Sequence, residues 1–291
     1  MVLKHEITAN DSEKTVKSII DSVFNLSSRM LSRLKKSGGI KLDGVTVTVR
    51  HVVHEGNVLT LEIFDRVSDN IVPCDIPVDV LYEDEYIIAV NKPSGMPTHP
   101  SLNHRTDTLA NAIMYRYKDN PFSFHPITRL DCDTTGVVLI AKDSLSCQRL
   151  SEAMKNGYIN KEYLAVCCGV PEIKEETIDA KIARLQGSVI KRQISDDGKE
   201  ALTVYNVQEI SHSRKFSLIH LIPKTGRTHQ LRLHLSHIGF PIYADFLYGK
   251  EVIGQRTCLH CSSLSFPHPI TNQNINISAP LPSDMKAIME Q

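Results

Sequence analysis

The chain has 291 residues, 41% apolar and 23% charged, with 33 basic residues against 33 acidic ones. That length allows one large domain and one small one, and no uncharged apolar run is long enough to span a bilayer. A net charge of zero weighs against a protein that holds nucleic acid by bulk positive charge, and leaves room for one whose basic residues are clustered. The opening MVLKHEITANDSEK lacks the apolar core of a signal peptide. The seven cysteines are odd in number and scattered, as reduced thiols are. Both features point to the cytoplasm and to no membrane partner.

Within residues 14–24, Val16, Ile19, Ile20, Val23 and Phe24 fall on one helical face. Ser27 or Ser28 can cap a second helix, RMLSRLKK, which stops at Gly38-Gly39. IKLDGVTV then reads as strand, Asp-Gly turn, strand, and VLTLEI as a further strand. Residues 1–65 form a small unit. In it Arg29, Arg33, Lys35 and Lys36 gather on the second helix and its end. Such a cluster either complements the helix C-terminal dipole or contacts phosphates; read alone, the solvated face is preferred.

Residues 66–79 are polar and contain prolines, the composition of a linker. The second domain, 80–291, begins with a strand at Tyr86–Val90, broken by Asn91-Lys92-Pro93-Ser94-Gly95, where Lys92 reads as a surface turn residue. A helix is expected over Thr106–Tyr117, capped by Thr106 or Asp107. The central stretch is PITRLDCDTTGVVLIAK, 126–142. It sets the acidic turn from Asp131 to Gly136 directly before the β-branched run Val137–Ala141, a buried strand. A carboxylate at the mouth of a strand, two residues after Arg129, is suited to chemistry. It is equally suited to a hydrogen-bonded turn.

A helix over Asp143–Asn156 follows, then the strand KEYLAVCCG, where Cys167 and Cys168 point to opposite faces. Residues 172–200 read as hairpins and loops, and 201–207 and 216–221 as strands. From Pro223 to His237 there are Lys224, Arg227, Arg232 and three histidines, and no acid. Leu231, Leu235 and Ile238 mark a helix that Gly239 ends. His229, His234 and His237 lack a carboxylate or cysteine at ligand spacing and read as hydrogen-bonded histidines. Cys258 and Cys261 lack the second pair that structural zinc needs. No metal is expected.

Several stretches taken together, LYEDEYIIAVNKPSGMPTHP, TRLDCDTTGVVLIAK, KEYLAV, KTGRTHQLRLHLSHIGFPIYADFLYG and the closing CLHCSSLSFPHP with APLPSDM, resemble the RluA-type pseudouridine synthases over roughly residues 80–285. The N-terminal unit resembles the small RNA-binding module first seen in a small-subunit ribosomal protein. That resemblance lifts the basic cluster to a candidate RNA contact.

The resemblance implies an α+β fold: a mixed, largely antiparallel sheet with flanking helices and a central cleft, plus the small N-terminal RNA-binding domain. It implies conversion of selected uridines in ribosomal or transfer RNA to pseudouridine, without cofactor or metal. Nothing in the sequence demands a protein partner or more than a monomer. Asp131 matches the family's catalytic aspartate and Arg129 the arginine two residues before it. Tyr163 matches the tyrosine that stacks on the target base, and Arg232 the basic residue that pairs with the aspartate.

The family usually has His-Arg-Leu-Asp and Thr-Ser-Gly. Here Thr128 replaces the histidine and Thr135 the serine. Thr135 keeps a hydroxyl, whereas Thr128 is the larger departure and is expected to bear on how the RNA backbone is held.

The chemistry agrees with these roles. Breaking a glycosidic bond builds positive charge on the sugar, which a carboxylate stabilises or captures. A neighbouring guanidinium favours the ionised form of such a carboxylate. The base must leave its stack to be reached, and an aromatic face then holds it with about 1–3 kcal/mol.

Two rivals stand beside this reading. Asp131 to Thr135 also fits D-x-D-x-T, the motif of magnesium-dependent aspartyl phosphatases, but there the motif follows its apolar strand and here it precedes one. A non-catalytic RNA-binding or ribosome-assembly protein would have no need of Asp131, Tyr163 and Arg232 together.

Overall fold

The computed structural model describes residues 1–65, 70–120 and 122–291; part of the 66–79 linker therefore lies outside the described residues. The N-terminal unit is a four-stranded antiparallel sheet of β1 (Val2–Glu6), β2 (Ile40–Leu42), β3 (Val45–Thr46) and β4 (Val58–Glu62), in the order β1-β4-β2-β3. Two helical segments cover it. The first, α1 (Val16–Ile19), widens into a π turn at Ile20–Phe24. That widening shifts the helical register, so Val23, expected on the apolar face, is 43% exposed while Phe24 stays buried. The second, α2 (Ser28–Ser37), is capped by Ser27, whose hydroxyl accepts from the Met30 amide, and ends at the left-handed Gly38. Its apolar stripe of Met30, Leu31 and Leu34 packs with Ile19, Ile20, Leu59 and Leu61.

The large domain is built on a ten-stranded sheet. Its strands in chain order are β5 (Asp79–Glu83), β6 (Ile87–Lys92), β7 (His125–Pro126), β8 (Thr135–Ala141), β9 (Asn160–Cys168) and β10 (Glu175–Asp179). After a separate hairpin of β11 (Ile182–Arg184) and β12 (Arg192–Ile194) come β13 (Leu202–Ile210), β14 (Phe216–Pro223), β15 (Leu259–Pro267) and β16 (Asn274–Ser278). The spatial order is β10-β13-β14-β9-β15-β8-β6-β5, with β16 on β15 and β7 on β8. One pair, β8 with β15, is parallel, and the others are antiparallel. The expected mixed, largely antiparallel sheet is therefore what forms.

The residues explain the centre of this sheet. Every residue of β8 is buried, as its unbroken apolar run requires of a strand covered on both faces. Where β8 meets β15, Gly136 lies at φ +111 with Cys261 against it, and a Cβ there would sit 2.1 Å from the Cys261 carbonyl oxygen. Only glycine permits that approach.

Helix α3 (Leu109–Arg116) starts later than expected, because Thr108 and Asn111 form a reciprocal capping box. Helix α4 (Ser144–Lys155) is capped by Asp143. Helices α5 (Gln230–His237) and α6 (Ser283–Met289) complete the domain.

The N-terminal unit docks on α4. Leu145 belongs to its apolar core. The Ser27 amide donates to Gln148 Oε1 (2.9 Å), and Gln148 Nε2 donates to the Asn25 carbonyl (2.9 Å). Arg33 donates to Ser144 Oγ (2.9 Å) and to the Phe64 carbonyl (2.7 Å).

Candidate active site

Asp131 lies in the loop that enters β8, where a turn closes between the Asp131 carbonyl and the Thr134 amide (3.2 Å). A second segment clamps this loop from beneath. Lys92, at the end of β6, is fully buried, and its ammonium donates to the carbonyls of Pro93 (2.8 Å), Met96 (2.7 Å) and Cys132 (2.9 Å). Ser94 donates to the Asp133 carbonyl (3.2 Å), and Thr98 to that of Leu130 (3.2 Å).

The reading of Lys92 as a surface turn residue is thus corrected: its cation ties the 93–96 turn to the residue after Asp131. Burial pulls its pKa down to about 8, yet three carbonyl oxygens remain matched to its donors. Thr128 is also internal, at 3% exposed, and its hydroxyl accepts from the Leu139 amide (2.9 Å). Thr128 is thus bonded to β8, in the middle of the sheet.

Arg232 reaches the same point from α5. Its Nη1 stands 3.4 Å from Asp131 Oδ2. Its other two nitrogens, Nε and Nη2, grip both oxygens of Asp245 at 2.7 Å each. Asp245 is fully buried and also accepts from the amides of Leu247 (2.9 Å) and Tyr248 (3.2 Å). Burial would raise its pKa, but the Arg232 hydrogen bonds and charge, with the two amides, outweigh that and hold it below the ordinary value. The rings of Phe246 and Tyr248 lie 5.4 and 5.5 Å from the guanidinium carbon. Asp245 received no role from the sequence. Its signal was available as the lone acid of PIYADFLYG, but nothing local shows that it faces back to α5.

Tyr163, on β9 between β14 and β15, is 8% exposed, and its ring joins the main apolar core. Burial pushes its phenol well above the ordinary value, so the ring is neutral. Arg129 is exposed and makes no hydrogen bond or ion pair among the described residues; burial first, and then the Arg129 charge, lower the pKa of His99. Asp131 and Arg232 are therefore together, with Arg129 at the rim. His234 is satisfied by Thr203 (3.0 Å) and the Ala180 carbonyl (2.9 Å), as expected of a hydrogen-bonded histidine. Among the described residues no group of three or more His, Cys, Asp and Glu is placed to hold a metal ion.

Of the N-terminal basic cluster, Arg29, Lys35 and Lys36 are exposed. Arg33 is exposed too, at 42% of its side chain, while its guanidinium donates to the Phe64 carbonyl and to Ser144 Oγ and pairs with Asp65 at 3.5 Å.

The Asp131–Arg232 pair thus sits at the mouth of β8, in the middle of a mixed sheet. The model of the RNA pseudouridylate synthase family matches residues 86–237. The chain belongs to that family and, within it, to the RluA type. It is 37% identical to an uncharacterized RNA pseudouridine synthase of Bacillus subtilis, YjbO, over 92% of this chain and 95% of that protein. It is 34% identical to the ribosomal large subunit pseudouridine synthase D of Xylella fastidiosa, over 86% of this chain and 80% of the relative. Among solved structures, human RNA pseudouridylate synthase domain containing 1 superposes with a TM-score of 0.61 at 26% identity, covering 70% of this chain and 83% of that one. No helix among the described residues is long and apolar enough to cross a membrane.

Proposed function

We propose that this enzyme isomerises a uridine of large-subunit ribosomal RNA, with Asp131 as the reacting carboxylate and without cofactor or metal. The observation that carries the reading is the setting of Asp131. Its side chain is 36% exposed at the mouth of β8, while the buried Arg232 beside it is locked on its far side by Asp245. A carboxylate that is open to solvent on one side and contacted by a guanidinium on the other meets two demands of glycosidic cleavage: access to the sugar and a fixed partner that orients the reacting oxygen. The name of the Xylella fastidiosa relative supports the ribosomal substrate.

Asp131 either displaces N1 from the sugar C1′ to form an ester that C5 later displaces, or takes a proton from C2′ as the C1′–N1 bond breaks and returns it when C5 attacks C1′. In both routes the freed uracil turns, C5 bonds to C1′, the C5 hydrogen leaves as a proton, and N1 takes up a proton from solvent. Arg129 fills the space vacated by the flipped nucleotide or holds a phosphate, and the neutral Tyr163 ring lies under the base. Residues 1–65 form the RNA-binding domain and 80–291 the catalytic one. In the first, Arg29, Arg33, Lys35 and Lys36 contact phosphates, Arg33 with the exposed part of a side chain that also reaches Ser144. The enzyme acts as a cytoplasmic monomer.

The test is tritium release from transcripts carrying uridine labelled at C5, with ribosomal and transfer RNA kept separate. Release is expected from the large-subunit ribosomal transcript and is expected to persist in EDTA. Filter binding over a salt series completes the experiment: replacing Lys35 and Lys36 by Ala should lower the salt slope by roughly 1.5–2. Release from transfer RNA alone would reassign the substrate. RNA binding with no release from any transcript or ribosomal particle would make the protein a non-catalytic binder.

A further inference from the structure

One buried titratable group beside Asp131 has no task in that chemistry: the imidazole of His229. Its backbone is left-handed, at φ 58 and ψ 20, directly before α5, a costly conformation for a residue other than glycine that persists where the surroundings demand it. The side chain is 10% exposed, and Nε2 stands 3.9 Å from Asp131 Oδ2, about 1 Å beyond a hydrogen bond. On the other side of the ring, Nδ1 is 2.9 Å from Tyr248 Oη. That oxygen accepts from the Arg192 amide at 2.9 Å, which leaves the phenol proton free to point at Nδ1. The imidazole hydrogen is then on Nε2 and faces the carboxylate.

We propose that His229 is a positioning residue for Asp131: during reaction its Nε2–H closes on Oδ2 and, together with Arg232, holds the carboxylate against the sugar. The Arg192–Tyr248 pair sets the ring for that contact, so the chain of hydrogen bonds runs from the β11–β12 hairpin to the reacting group. This rests on Asp131 being that group.

The charged and titratable groups that face the ring are few. Asp131 comes from the loop before β8, Arg232 from α5, Asp245 and Tyr248 from the loop after it, and Arg192 from β12. Both Asp245 oxygens are taken by Arg232, so Asp131 is the carboxylate open to the imidazole. Burial first, then the two arginines, holds the His229 pKa below its ordinary value against the pull of Asp131. The ring is therefore neutral at neutral pH. An imidazolium formed at lower pH would draw on Oδ2 and compete with the sugar for it.

Two measurements test this, the first independent of substrate. In protein labelled with ¹⁵N-histidine, the His229 titration followed by NMR should move to lower pH in Asp131→Asn, which removes the favourable negative charge. It should move to higher pH in Tyr248→Phe, which removes the donor that stabilises the neutral ring. A midpoint unmoved by Asp131→Asn overturns the proposal.

The second is single-turnover tritium release from the labelled large-subunit ribosomal transcript between pH 5 and 8. His229→Asn, which tolerates the left-handed backbone, should slow release on the order of 10²-fold with RNA affinity retained. It should also abolish the acid limb that wild type shows, a limb that Tyr248→Phe should shift upward. A loss confined to RNA affinity, with the acid limb intact in both variants, overturns the proposal. A wild type inactive on this transcript counts against the proposed substrate, and the NMR arm still decides the coupling.

Discussion

Replacing Asp131 by Asn should reduce tritium release by roughly 10⁴-fold or more, and Asp131→Ala should fall equally far. Asparagine keeps the shape and removes both the nucleophilic oxygen and the negative charge, so the two substitutions differ in volume and not in what they delete. The structure further predicts that neither substitution unfolds the protein. Arg232 gives Asp131 its longer contact, at 3.4 Å, and keeps both 2.7 Å bonds to Asp245 when Asp131 is gone. The guanidinium is never left as an unpaired buried charge, which is the costly outcome. The melting temperature and RNA affinity of both variants should therefore match wild type while release disappears. Retained turnover in either purified variant would remove Asp131 from the chemistry. Loss of the folded state would mean that the carboxylate is part of the scaffold.

The legible and illegible parts of this site differ in the range of the interaction that defines them. The turn from Asp131 to Gly136 could be read because its signal is local: polar turn residues abut an apolar run, and that run became the buried β8. The cap of α2 was legible for the same reason. Lys92 was misread because Asn-Lys-Pro-Ser-Gly has the local composition of a surface turn. One of the carbonyls that satisfy its cation, that of Cys132, is forty residues away in the chain. A buried lysine is recognisable only once its acceptors are in place. Arg33 shows the complementary limit. The sequence placed it in the basic cluster of α2, but its bond to Ser144, 111 residues further on, is a tertiary fact. The strand β1 escaped notice because its residues alternate between exposed and half-buried, a short edge with little apolar signal.

The second large effect concerns Asp245. Asp245→Asn turns one partner of a buried ion pair into a neutral amide that can satisfy Arg232 at only one oxygen. Arg232 is 4% exposed and Asp245 fully buried, and the longer 3.4 Å contact to the part-exposed Asp131 replaces little of what is lost, so the change should cost about 3 kcal/mol, which for a domain of this size lowers the melting temperature by roughly 10 °C.

The pH dependence has a definite sign. The Asp245 carboxyl is held below its ordinary value in the folded protein. The stability it contributes is therefore fully present above the ordinary carboxylate range, and is lost as pH falls through the folded value. The gap in stability between wild type and Asp245→Asn should be full at neutral pH and should narrow in acid. Activity should fall on the order of 10²-fold, because Arg232 is released from the register that brings Nη1 to Asp131.

The double variant Arg232→Met with Asp245→Leu separates the two consequences. Removing both charges relieves the buried imbalance, so much of the lost stability should return. Activity should not return, since no guanidinium then faces Asp131. Recovery of turnover along with stability in the double variant would show that the pair serves the fold alone.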